Sequence, residues 1–97
     1  MALIMGHALG TADAAAWRHN LEAQGCRVSF DSMGGEASQA DLTLSFELAD
    51  TLLLRGHASA LTATQRSWLS ALFKELAEDG QLDFFEEDGR LIERVVV

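Results

Sequence analysis

The sequence predicts an α+β fold in which two tandem β-α-β-β repeats pack two helices against an antiparallel or mixed sheet. Three observations favour this fold: short segments in which apolar and polar residues alternate, two stretches with apolar residues at helical spacing, and an internal repeat. With 97 residues the chain is long enough for a single domain. We expect repeat 1 to cover about 1–48 and repeat 2 about 51–97.

The repeat is supported by residue types that are rare in this chain. Gly6-His7-Ala8 recurs as Gly56-His57-Ala58, and Trp17 recurs as Trp68. Because both tryptophans and two of the three histidines fall on matched positions, we interpret the two halves as copies of one unit. On this interpretation both tryptophans lie on equivalent buried helix faces.

The first half contains the pattern of a strand, a helix and a second strand. A short apolar segment predicts a strand over 2–8, and Thr11 is placed to cap the following helix. Trp17 lies on the apolar stripe of this helix, and Gly25 is placed to end it. Alternation over 26–30 then predicts a strand.

The middle of the chain predicts a loop followed by a hairpin. Residues 33–40 contain the turn-forming Gly-Gly and Ser residues and predict a loop. Residues 42–48 alternate strictly, and a further strand is predicted over 51–58. A three-residue connection that sets Leu52 opposite Leu48 keeps the apolar residues of both strands on one face.

The second helix has a defined start and stop in the sequence. Thr62 and Gln65 have the form of a capping box, so we expect the helix to begin there. Trp68 lies on its apolar stripe, and Gly80 is placed to end it as Gly25 ends the first helix.

The last segment predicts a tight hairpin. Asp88-Gly89 favours a two-residue turn of type I′. Such a turn places Asp83 opposite Arg94 and Glu87 opposite Arg90, as two ion pairs on one face.

Composition narrows the classes of function. The net charge is −8, with 15 acidic against 7 basic residues, which disfavours direct binding to nucleic acid. The single cysteine, Cys26, excludes an internal disulfide framework, indicates a small buried hydrophobe and suits the reducing cytoplasm. No apolar run approaches the roughly 20 residues needed to span a bilayer. We therefore expect a cytoplasmic protein that does not enter the membrane.

Two histidines suggest an alternative in which the chain binds a metal ion or another small ligand. His7 and His57 occupy matched positions, and Glu47 and Glu93 lie in the third strand of each repeat. Imidazole and carboxylate groups that converged on a pseudo-twofold axis could bind one metal ion. This layout resembles the vicinal oxygen chelate enzymes, such as glyoxalases, in which paired β-α-β-β-β units carry His and Glu ligands on matched strands. The present chain is one strand short in each unit and has no matching sequence motif.

The function that the sequence favours is a small acidic binding module that acts by protein–protein contact. Neither a nucleophile–base pair nor a phosphate-binding glycine loop is evident, so a non-catalytic protein without a cofactor is favoured over an enzyme. The module would regulate or inhibit a basic partner, or form a homodimer. The acidic residues that we expect to contact a partner are Glu75, Glu78, Asp79, Glu86 and Asp88.

Overall fold

The computed structural model describes residues 1–10 and 13–97 and shows an α+β fold. The elements follow the chain in the order β1 (Ala2–Gly10), α1 (Ala14–Ala23), β2 (Arg27–Asp31), β3 (Gly34–Gln39), β4 (Leu42–Leu48), β5 (Leu52–Ala58), α2 (Ala63–Leu76), β6 (Glu78–Phe85) and β7 (Leu91–Val96).

The strands form one continuous sheet. Its order is β2-β3-β4-β5-β1-β6-β7, and every pair of neighbours is antiparallel. Strand β1 is therefore internal, with β5 on one side and β6 on the other. The predicted α+β class is confirmed, and of the two sheet types that the sequence allowed, the antiparallel one is present.

Both helices pack on the same face of the sheet and form the core with it. Trp17 of α1 is fully buried, and its ring centroid lies 5.2 Å from that of Phe46 in β4. Phe73 of α2 is also fully buried and packs beside Gly6 of β1. The Cα extents of 34 × 27 × 17 Å match one helix layer on one sheet layer. Across residues 1–10 and 13–97, no element covers the opposite face.

Local capping signals act largely as the sequence predicts. Thr62 Oγ1 accepts a hydrogen bond from the Gln65 N–H at 3.0 Å, and the Gln65 side chain accepts one from the Thr62 N–H at 3.1 Å. The predicted capping box is thus confirmed. Gly25 follows the C-cap of α1 with φ of +88°, as expected for a helix stop. The N-cap of α1 is Asp13, and the predicted cap Thr11 lies outside the described residues.

The prediction that Gly80 ends α2 is wrong. The helix ends at Leu76, and Gly80 lies inside β6, directly opposite Ala8 of β1. The chain enters the sheet at Glu78, because backbone pairing with β1 satisfies its hydrogen-bonding groups there.

The predicted loop at 33–40 is also wrong, because most of it forms β3. The segment lacks the branched and aromatic residues typical of strands, and of its side chains only Ala37 joins the core. Strands β2 and β4 supply hydrogen-bond partners on both sides of it. Pairing with these neighbours, rather than local propensity, makes this segment a strand.

The hairpin between β4 and β5 has the predicted register. Leu48 pairs with Leu52, and Phe46 pairs with Leu54. All four side chains are buried on the helix face, so the buried apolar residues select the register here.

The turn between β6 and β7 differs from the predicted type I′ turn. The Glu86 carbonyl accepts a hydrogen bond from the Gly89 N–H at 2.9 Å, so Glu87 and Asp88 are the central residues. Within this turn only Gly89 has a positive φ, at +85°. A type I′ turn requires a positive φ at both central residues, so this is a type I turn followed by a left-handed glycine.

The changed turn alters one of the two predicted ion pairs. Asp83 pairs with Arg94 as predicted, with Arg94 Nε 2.9 Å from Asp83 Oδ1. Arg90, however, contacts Glu86 at 2.6 Å rather than Glu87, because Glu87 now lies at the tip of the turn.

Two equivalent β-α-β-β units are not confirmed by the topology. Strand β2 lies at the edge of the sheet, whereas its proposed counterpart β6 lies beside β1. The tryptophans also differ, because Trp17 is fully buried and Trp68 is only half-buried.

Candidate functional site

The candidate site is the face of the sheet that the helices leave uncovered, here called the open face. Alternate residues of β1 point to it, because successive side chains of a strand point to opposite faces. Ala2, Ile4 and Ala8 are buried under the helices. On the other side of the same strand, Leu3, Met5, His7 and Leu9 are exposed.

The open face is unusually apolar at its centre. Leu3 is 43% exposed and Met5 51%, and Leu53 on the adjacent strand β5 is 39% exposed. An antiparallel sheet with one solvated face normally carries polar side chains on that face. The exposed apolar residues lie on adjacent internal strands, so they form a contiguous patch rather than scattered surface hydrophobes.

Charged side chains flank this apolar centre along one row of the sheet. From β3 to β7 the row runs through Glu36, Ser45, Arg55, Met5, Asp83 and Arg94. Met5 thus has an arginine on one neighbouring strand and an aspartate on the other. The two charges nearest to Met5 therefore have opposite signs on the two sides of β1, and this order matters for any partner that covers the face.

A shallow depression of about 510 Å³ lies on the open face beside β1. The small residues Thr43 and Ser45 of β4 form part of it, next to the longer side chains of Met5 and Arg55. A partner side chain could therefore occupy this depression, above β5, without displacing any part of the sheet.

The structure does not bring His7 and His57 together at one point, as the alternative metal-site hypothesis requires. Both lie on the open face of adjacent strands, but His7 pairs with Leu53 and His57 pairs with Leu3. Four residues separate their positions along the strands, which is roughly 13 Å at about 3.3 Å per residue. In this antiparallel pair each histidine lies two residues from the Met5–Arg55 pair, in opposite directions.

The two glutamates do not complete a metal site with either histidine. Glu47 lies on the open face two strands from His7, about 10 Å at roughly 4.8 Å per strand. Glu93 pairs with Phe84 and lies on the helix face, where it contacts Arg66 of α2 at 3.7 Å. No three His, Cys, Asp or Glu side chains lie close enough to bind one metal ion within the described part of the chain.

The acidic residues expected to contact a partner fall into two groups. Glu75, Glu78 and Asp79 lie where α2 leads into β6, and Glu86 and Asp88 lie beyond the other end of that strand. The eight residues of β6 separate the groups by roughly 25 Å. They are therefore two distinct acidic surfaces rather than one edge.

The thiol of Cys26 fits the role of a small buried hydrophobe. Cys26 is 8% exposed and belongs to the core under α1. Burial raises the pKa of this thiol, which disfavours the reactive thiolate.

Asp83 is the buried acidic residue of the open face, and Arg94 stabilises its charged form. The guanidinium of Arg94 donates hydrogen bonds to both carboxylate oxygens, at 2.9 and 3.2 Å, and Gln81 donates another at 3.0 Å. The Arg94 hydrogen bond is the main cause that lowers the pKa of Asp83, against the opposing effect of burial. Asp83 is therefore ionised at neutral pH and presents a fixed arrangement of charge.

This lowered pKa predicts an acid-dependent part of the stability. The folded state binds the proton of Asp83 less readily than the unfolded state does. The contribution of Asp83 to the free energy of unfolding is therefore fully present above the unfolded pKa of roughly 3.9. It is lost as pH falls through the lower folded pKa. We expect Asp83→Asn to be less stable than the wild type at pH 7 and to approach it as the pH falls through the folded pKa of Asp83. Urea unfolding of both proteins from pH 2 to 7 measures this, and a pH-independent difference would contradict it.

Sequence reasoning left the second face of the sheet as either solvated or buried against another subunit, and it did not identify the residues on that face, because both faces of β1 are largely apolar. Met5 and Leu3 contribute to the same short apolar segment as the buried Ile4, and no polar alternation marks the exposed side. The available signal was that such a segment needs cover on both faces, whereas the chain has helical stripes for only one.

Comparisons with known proteins do not identify a relative that could assign this surface. No family model, curated protein sequence or solved structure matches the chain. Of the two helices in the part of the chain that the structure describes, neither is long and apolar enough to cross a membrane.

Proposed function

We propose that this protein is a non-catalytic binding module that acts by protein–protein contact through the open face of its sheet. The observation that carries this proposal is the exposure of Leu3 and Met5 at the centre of the sheet. Removing apolar surface from water contributes roughly 25 cal/mol per Å². A partner that covered these residues would gain this contribution without any change in the sheet.

Charge on the open face supports protein contact as the mode of action. Arg55 and Glu47 lie beside the apolar centre, and Arg94 is half-exposed at one side of it. An apolar core surrounded by polar and charged side chains is typical of protein–protein interfaces. Such charges mainly set the orientation of the partner and the rate of encounter.

Crosslinking from two matched positions tests this proposal. A photoreactive benzoylphenylalanine replaces Met5 in one variant and Met33 in a control, and each variant is expressed in the native host. Met33 is 61% exposed, similar to Met5, but it lies in the turn between β2 and β3 at the edge of the sheet. We expect protein adducts from position 5 and few from position 33. No adducts from position 5, or the same adducts from both, would overturn the proposal.

A second candidate function is docking of a basic partner on the acidic surface at the β6–β7 turn. Glu86, Glu87 and Asp88 line a depression of about 490 Å³ together with the apolar Leu61 and Ile92. A lysine or arginine side chain would place its aliphatic part on the apolar residues and its charge among the carboxylates. Binding of this kind would weaken steeply as the salt concentration rises.

A further inference from the structure

We infer that the partner on the open face is a second copy of this chain, packed sheet against sheet about a twofold axis that runs along β1. The inference rests on the proposed function, because it takes the open face as a contact surface. Two arguments carry it: the area of the face, and the order of charges on either side of β1.

The open face has the size that a stable dimer needs. With the axis along β1, the five strands β4, β5, β1, β6 and β7 of each copy overlap. They cover roughly 600 Å² in projection, and the accessible surface of their side chains is larger than the projection. A standard interface buries about 800 Å² per partner, so the overlap is of the right size. Packed sheets keep their strands within about 30° of each other, which allows this alignment.

The charges select the direction of the axis. An axis along β1 exchanges the strands on its two sides, so that Arg55 of β5 faces Asp83 of β6 in the second copy. An axis across the strands through Met5 would instead place Arg55 opposite Arg55 and Asp83 opposite Asp83. Like charges buried face to face repel each other strongly, so the axis along β1 is the favoured one.

The same axis places apolar residues at the centre of the interface. Leu3 and Met5 then face their own counterparts, because they lie on the strand that contains the axis. Ser45 faces the second copy's Arg94, and its small side chain leaves room for that residue without disturbing the hydrogen bonds of Arg94 to Asp83. The result is an apolar centre with ion pairs around it, as in interfaces of known complexes.

A mass measurement on matched variants tests the second copy as the partner. We expect light scattering to give twice the 10.5 kDa chain mass for the wild type. Met5→Glu places two carboxylates against each other on the axis and should weaken the dimer more than about 100-fold. The control Met33→Glu makes the same substitution at a similarly exposed residue in the turn between the third and fourth strands from the axis, and it should remain a dimer. Circular dichroism of each variant confirms that both are folded.

Two substitutions of Ser45 test the axis. Because Ser45 is exposed and faces the second copy's Arg94 in this arrangement, Ser45→Asp should tighten the dimer and Ser45→Lys should weaken it, each by about three- to tenfold. The dissociation constants follow from sedimentation over a range of protein concentration. Equal effects of the two substitutions would overturn the axis along β1.

The remaining outcomes separate the inference from the proposed function. A wild type that stays a monomer at all concentrations, or a Met5→Glu variant that stays a dimer, would overturn the second copy as the partner. If position 5 nevertheless crosslinks to a different protein in the host, the open face is still a contact surface and only the identity of the partner is wrong. If position 5 crosslinks to nothing, both proposals fail.

Discussion

Replacing Trp17 with alanine is expected to lower the free energy of unfolding by roughly 3–5 kcal/mol, the range for large core aromatics. Trp17 has no exposed surface and packs against Phe46 with a centroid distance of 5.2 Å. Its indole Nε1 has no hydrogen-bond partner among the described residues, so the loss is one of packing. Removing this side chain leaves a cavity between α1 and β4, next to Phe46.

The matched substitution at Trp68 should cost much less, about 1–2 kcal/mol, because that side chain is only half-buried on α2. Urea unfolding of the wild type, Trp17→Ala and Trp68→Ala at one protein concentration measures both losses. A fixed concentration is needed because association adds to the apparent stability. Equal losses at the two positions would contradict the unequal burial and would support equivalent cores in two repeated units.

Gly80→Ala should also destabilise the fold, by about 3 kcal/mol, near the upper end for overpacking. A β-carbon at this position would lie 2.6 Å from the Ala8 Cβ and closer still to the His7 carbonyl oxygen. These atoms belong to the backbone and the first side-chain carbon of β1, so they cannot move aside without disturbing the centre of the sheet.

Gly6→Ala is the matched control for this effect. The nearest atom to its added β-carbon is Leu82 Cδ1 at 2.9 Å, at the flexible end of a side chain. A rotation of Leu82 relieves that contact, so we expect a smaller loss of stability than at Gly80. Thermal unfolding followed by circular dichroism compares the two variants. A loss at Gly6 as large as the loss at Gly80 would contradict this expectation and would show that the Leu82 side chain cannot rotate away from the added β-carbon.

Features governed by neighbouring residues could be predicted from the sequence. The Thr62–Gln65 capping box and the stop at Gly25 depend on side chains and backbone within one helical turn. The register of the β4–β5 hairpin followed from the need to bury Phe46 and Leu54 on one face. In each case the energy that decides the structure comes from residues close in the chain.

Features governed by residues that are distant in the chain could not be predicted from the sequence. Strand β3 has little strand propensity of its own and forms because β2 and β4 pair with it. Gly80 has the residue type of a helix stop, yet pairing with Ala8, more than seventy positions earlier in the chain, places it in a strand. Local patterns carry no information about such partners.

The candidate site likewise has some features that local sequence predicts and others that only the complete fold shows. The sequence identified His7 and His57 as matched residues near the ends of matched strands, but only the register shows that they lie four residues apart along the sheet. The apolar patch around Met5 became visible only when both helices were found on one face. An unmatched apolar face is a property of the whole fold rather than of any single segment.

The most direct test of the account is the solvent exposure of the methionine methyl groups in the wild-type protein. Met5 and Met33 are 51% and 61% exposed in a single chain, so a monomer exposes both. NMR of ¹³C-labelled methionine methyls with a soluble paramagnetic probe measures each exposure as protein concentration rises. We expect the Met5 methyl to become protected while the Met33 methyl stays accessible. Equal and unchanged accessibility of both methyls at every concentration would contradict burial of the open face against a second copy.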